Sequence, residues 1–200
     1  MTAPHEWNPV PNSLAVRCPE CGEEAEFDFA AVARIERLSD VPHFENHQQL
    51  LYSKFSDRRR HSWHGAVFFP GLKGRDWTSI RNLPEGYAAE LWNPANQPAR
   101  LLDLILQNPS SGCVHCQYCQ IARRHDLKWP KEAWYQIGCG NDVLWAWHRK
   151  CAEGLRDFIA SKDRDPHKHD WYLFLLHIPE VFLQAKTRAE VLKKLDRILK

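Results

Sequence analysis

Seven cysteines are spread along this 200-residue chain, and their spacing constrains the fold more than any other feature. Cys18 and Cys21 form one C-x-x-C pair, and Cys113 and Cys116 form a second. Cys119 makes a third pair that overlaps the second through Cys116. Two thiolates at this spacing grip one metal ion because a tight turn points both sulfurs inward. Two such pairs close a tetrahedron and leave no position for substrate. Gly22, directly after Cys21, lets the backbone approach the metal-bound sulfur closely. The odd cysteine count argues against a disulfide framework and for metal in a reducing compartment. One structural Zn2+ held by Cys18, Cys21, Cys113 and Cys116 is therefore expected.

Two alternatives stay open. The pairs at Cys21 and Cys113 are separated by 91 residues, so proximity in sequence does not vouch for their union. A competing set joins Cys113 and Cys116 to His148 and Cys151, across only 31 intervening residues. His148 and Cys151, at i and i+3 on a first helical turn, face the same way. Against that, His148 suits a helix cap and Cys151 suits a small apolar position on a buried face. Cys119 can also replace Cys113 as the partner of Cys116, and His115, between two cysteines, is expected to point away from the metal.

The pattern along the chain gives a mixed α+β reading. Residues 1–16 hold Pro4, Pro9 and Pro11 among polar side chains and read as a loose arm. Glu24–Phe29, Leu50–Phe55 and Ala66–Phe69 have strand character. Leu101, Leu102 and Ile105 share a helical face that ends before Pro109. The runs 133–137 and 143–147 read as a β-hairpin around Gly140-Asn141. A helix follows from about His148, with Cys151, Leu155, Phe158 and Ile159 on one face. Thr187 and Glu190 have capping-box spacing before an apolar stripe of Val191, Leu192, Leu195, Ile198 and Leu199. The whole is expected to form a single domain, 1–200. In it, knuckles at 17–29 and 112–121 flank an insertion at 30–111, and a hairpin-helix unit occupies 129–200.

Residues 17–29 and 112–121 resemble the two halves of a zinc ribbon. Knuckle, hairpin and helix from Cys113 to about Ala160 resemble the treble-clef layout. The run from Trp129 to Ile159 is similar to a group of uncharacterised bacterial proteins, through Trp134-Tyr135-Gln136-Ile137, Val143–Arg149 and Leu155–Ile159. These resemblances imply a bacterial cytoplasmic protein with a split zinc ribbon, and they associate it with nucleic-acid machinery by analogy.

Charge and motifs narrow the function. Residues 1–60 carry 7 basic and 10 acidic side chains, whereas residues 113–200 carry 16 and 11. The first knuckle, with Glu20, Glu23, Glu24, Glu26 and Asp28, repels phosphate. The second runs into Arg123, Arg124, Lys128 and Trp129, a basic stretch with an indole that suits a nucleic-acid backbone and a stacked base. The chain has no phosphate loop, no dinucleotide fingerprint and no nucleophile elbow. His61 and His64, His43 and His47, His167 and His169, and Cys139 carry no spacing that demands catalysis, so no catalytic residue is assigned. The longest purely apolar run, Trp171–Leu176, is far short of a membrane span, and the first residues show no basic or apolar leader. The expected function is a non-enzymatic adaptor or subunit with a protein partner. Nucleic-acid binding is the second reading and a zinc-supported enzyme the third.

Overall fold

In the computed structural model, residues 13–56, 61–72, 80, 82–85, 87 and 110–200 are described. The expected helix at Leu101, Leu102 and Ile105 and the basic run Arg58–Arg60 lie outside these residues. The observed class is mixed α+β with several small antiparallel sheets. Residue contacts group into two compact units. One comprises 1–26 with 129–200, and the other comprises 27–128. The boundary falls inside a strand, Glu24–Phe29.

A four-stranded sheet has the order β1-β2-β6-β7, built from Ser13–Arg17, Glu24–Phe29, Ser110–His115 and Ala122–Leu127. β1 corrects the loose-arm expectation at its C-terminal end. Leu14 and Val16 alternate into the core, and alternation of this kind needs only five residues to make a strand. β7 carries no apolar alternation in its sequence. Ala122-Arg123-Arg124-His125-Asp126-Leu127 is polar enough to read as a loop, yet it pairs residue by residue with β6, from Ser110 with Leu127 to His115 with Ala122. Ladder hydrogen bonds override side-chain polarity here.

The unit 27–128 also contains a three-stranded antiparallel sheet ordered β3-β5-β4. Its strands are Ala31–Arg34 (β3), Leu51–Ser56 (β4) and Ser62–Phe68 (β5). A short helix, α1 (Val41–Glu45), precedes β4 and buries Phe44 against Ile35, Leu50 and Phe68.

In the other unit, β8 (Tyr135–Cys139) and β9 (Asp142–Ala146) form the expected hairpin, with Gly140 and Asn141 between the paired ends Cys139 and Asp142. Gly140 takes a left-handed φ of 60° there. The helix α2 (Arg149–Ala160) buries Cys151, Ala152, Leu155, Phe158 and Ile159, as the periodicity predicts. α3 (Tyr172–Leu175) and α4 (Ala185–Ile198) follow, and α4 buries Val191 and Leu195. The capping box does not form. α4 starts at Ala185, and Thr187 Oγ1 donates to the carbonyls of Val181 and Gln184 instead. Trp145 and Trp147 are both buried, with centroids 4.6 Å apart, and Trp129 and Phe174 pack with them. Leu144 and Ala146 are buried too, so this strand is covered on both faces.

Candidate metal centre

Two turns of the same construction carry four of the cysteines. The first leads from β1 to β2. Cys18 N donates to Glu23 O at 2.7 Å, and Gly22 N donates to Cys18 O at 3.0 Å. Glu20 N points at Cys18 Sγ from 3.4 Å, a contact that favours a sulfur bearing negative charge. The second turn leads from β6 to β7, and Cys116 N donates to Ile121 O at 3.0 Å. In both, the amide of the leading cysteine closes onto the carbonyl five residues later. Both also place the residue after the second cysteine in the left-handed region, Gly22 at φ 81° and Gln120 at φ 61°. Glycine adopts that conformation without cost, whereas Gln120 holds it against a steric penalty. Its side-chain amide donates to the Gln117 carbonyl across the same turn.

The sulfurs of Cys18, Cys21, Cys116 and Cys119 all lie within 4.8 Å of one another. Thiolates bound at about 2.3 Å to a tetrahedral ion sit about 3.8 Å apart, so a small contraction completes such a site. Cys18 and Cys116 are buried, Cys119 is half-buried and Cys21 is exposed. Four soft sulfur donors fit a tetrahedral thiophilic ion, with zinc and iron both chemically suited. The four cysteines are thus able to hold a metal ion.

Cys113 is not in this group, and the expected ligand set changes accordingly. Cys113 lies inside β6, opposite Arg124, and is fully buried. Residues three apart along an extended chain point to opposite faces, so Cys113 and Cys116 diverge where Cys116 and Cys119 converge around a turn. Burial first, then the Asp28 carboxylate, push the Cys113 thiol up to about 11 against the pull of Arg124, so it stays protonated. His115 points away from the sulfurs, as expected. Its Nε2 is 3.6 Å from Asp28 Oδ2.

The alternative set with His148 and Cys151 does not assemble among the described residues. His148 is the N-cap of α2, and its Nδ1 accepts from Cys151 N at 3.3 Å. Burial, and then Lys150, lower its pKa and keep that nitrogen an acceptor. Cys151 is wholly buried, and burial pushes its thiol up to about 12.

The residues expected to meet nucleic acid are distributed differently from a single basic loop. Arg123 and Arg124 are exposed neighbours on β7 and so project to opposite faces. The Arg124 guanidinium sits 4.4 Å over the Phe69 ring. Lys128 is exposed beyond the strand. Trp129 stacks on Trp147 at 5.1 Å and 15°, which occupies one face of its indole.

Of the histidines considered for catalysis, His64 Nδ1 lies 2.6 Å from Tyr52 Oη on the side of the Phe44 core, and His61 is exposed. His43 and His47 have ring centroids 5.7 Å apart, and His47 Nδ1 accepts from Gln49 N. His167 lies 5.2 Å from the Tyr172 ring and His169 5.7 Å from the Phe158 ring. Cys139 is half-buried at the end of β8. No helix among the described residues is long and apolar enough to cross a membrane. The sequence carries no signal that marks the second pair: Cys116-Gln117-Tyr118-Cys119 and Cys113-Val114-His115-Cys116 each share only their two cysteines with Cys18-Pro19-Glu20-Cys21.

No protein-family model, curated protein or solved structure matches this chain.

Proposed function

We propose that the chain is a zinc-stabilised, non-enzymatic adaptor or subunit of a bacterial cytoplasmic complex, with one structural Zn2+ held in zinc-ribbon fashion by Cys18, Cys21, Cys116 and Cys119. The observation that carries this reading is the convergence of four sulfurs from two equivalent turns. Four thiolates saturate a tetrahedral ion, so the metal supports the fold and offers no open position to water or substrate. Such a site fixes short polar turns that have little apolar area of their own to bury.

The adaptor role draws support from what those turns display. Tyr118, between two of the ligands, is 69% exposed. An aromatic side chain on a backbone already fixed by metal is an anchor that loses little freedom on docking. Metal analysis of the purified protein is expected to give one zinc per chain. Cys119→Ser is expected to lose the metal and Cys113→Ser to keep it; the reverse result overturns the ligand assignment. Affinity capture from the native host with wild type and Tyr118→Ala tests the adaptor role. A stoichiometric protein recovered equally by both variants removes Tyr118 as the anchor.

Nucleic-acid binding through Arg123, Arg124, Lys128 and Trp129 is the weaker reading. The two arginines diverge across β7, and one face of the indole is stacked.

A further inference from the structure

Alternation along three strands sorts the β3-β5-β4 sheet into two faces. His64, Ala66 and Phe68 of β5 face the Phe44 side together with Tyr52. The opposite face carries Arg34 from β3, Trp63 and Gly65 from β5, and Leu51, Ser53 and Phe55 from β4. No strand position on this face holds a carboxylate.

Phe55 and Trp63 are direct cross-strand partners, and their rings stack at 4.5 Å and 21°. Gly65 makes that arrangement possible. A Cβ at this position would lie 2.6 Å from Phe55 Cε2 and 2.8 Å from Trp63 Cζ3. Arg34, opposite Gly65 on β3, brings its guanidinium to 6.0 Å from the Trp63 centroid. Among the described residues it has no carboxylate partner. A cation and two flat rings therefore form a row across three strands, with both rings half-buried and Arg34 exposed. Phe55 also packs on the cluster of Val67 and Phe69. Over Phe69 lies the second exposed guanidinium, that of Arg124. The result is an apolar strip bounded by a cation at each end.

We propose that this face binds single-stranded polynucleotide, with an unpaired base stacking on the Phe55–Trp63–Arg34 row and the flanking phosphates meeting Arg34 and Arg124. Phe55 and Trp63 cover one face of each other, so a base stacks at an outer face of the row; every base has a π-face, so it does so with little regard to sequence. A guanidinium can stack on a base and donate to phosphate. The charge decides between occupants. Cations at both ends, with no carboxylate on β3, β4 or β5, complement a polyanion more closely than an apolar protein surface. A duplex keeps its base faces stacked within the helix and cannot use the ring row. This inference stands apart from the metal and from Tyr118.

The test uses the intact, metal-loaded protein and a fluorescent oligothymidylate of about 15 nucleotides, near the upper site size of a small binding domain. Anisotropy at low salt is expected to show saturable binding. Trp63→Ala is expected to weaken it roughly tenfold or more, and Trp63→Phe to retain it. Arg34→Glu, a surface change that does not rely on repacking, is expected to weaken it by a similar factor. Arg34→Gln should lower the slope of log K against log salt by about 0.7. A duplex of equal length should bind at least roughly tenfold more weakly. Absence of saturable binding by wild type overturns the proposal and leaves the strip as a protein-facing surface. Equal binding by Arg34→Glu overturns it, and so does equal affinity for the duplex.

Discussion

Around Cys116, two polar hairpin turns bring sulfurs together close to the surface, with Cys21 exposed and Cys119 half-buried. Around Cys151, the helix α2 presses Leu155, Phe158 and Ile159 into an apolar interior in the unit that also holds the tryptophan-rich hairpin. The thiol is the same in both places, and its surroundings give it opposite work. On the turns, backbone hydrogen bonds hold it beside other sulfurs, in a group that could hold a metal ion. On the helix, burial pushes it up to about 12, and it serves as a small apolar side chain. On the proposed reading the cysteine turns depend on a bound ion, whereas the hairpin-helix region has an apolar core of its own.

Removing the metal should separate the two regions most sharply. Apparent binding free energies at structural zinc sites run to about 10 kcal/mol or more. Chelation, or Cys116→Ser, should therefore abolish hydrogen-exchange protection of the Cys18 and Cys116 amides. Protection in α2 and β8–β9 should persist. If both regions lose protection together, they do not have separate sources of stability.

The next largest effects belong to the hairpin. Trp145→Ala and Trp147→Ala should each cost about 3–5 kcal/mol in denaturant unfolding while the bound metal is retained. One costly and one silent substitution would mean that the shared indole packing is not what holds this strand.

Cys151→Ser should cost about 1–3 kcal/mol, because a hydroxyl is buried where the thiol was nearly apolar, and metal content should not change. The same residue gives the helix region an alkaline limit. Its folded pKa is raised from 9.0 to about 12, and that of Tyr135 from 10.0 to about 12 by burial and then by Glu24. Each group binds its proton more tightly when folded. Its contribution is complete below the unfolded pKa and is lost as pH rises through the interval from about 9 to 12. Cys151→Ala should flatten that fall in a pH series of unfolding midpoints; an unchanged slope would remove Cys151 as a cause.

Cys139→Ser, at the half-buried hairpin end, should fall within about 0.5 kcal/mol and leave metal content alone. A larger loss would show that the hairpin end is packed in solution.

Much of the hairpin-helix region was legible because its signals are local. Gly140-Asn141 turns the chain between two runs rich in β-formers, and the apolar spacing from Cys151 to Ile159 is helical. The middle of the chain was less legible. β3 is four residues long, and β7 is polar at four of its six positions; both exist because a partner strand supplies hydrogen bonds. The supposed capping box at Thr187 matched a spacing, but the helix had already begun at Ala185.

The sequence by itself determined the donor chemistry, the first knuckle at Cys18 and Cys21, and the pairing of β8 with β9, because each depends on residues within a few positions of one another. Only the tertiary structure decided that Cys119 rather than Cys113 completes the group with Cys116. Both stand three residues from Cys116, and spacing cannot separate them. What separates them is that Cys113 lies in a strand, which turns its side chain away from that of Cys116, while Cys119 lies across a turn that brings the two sulfurs together.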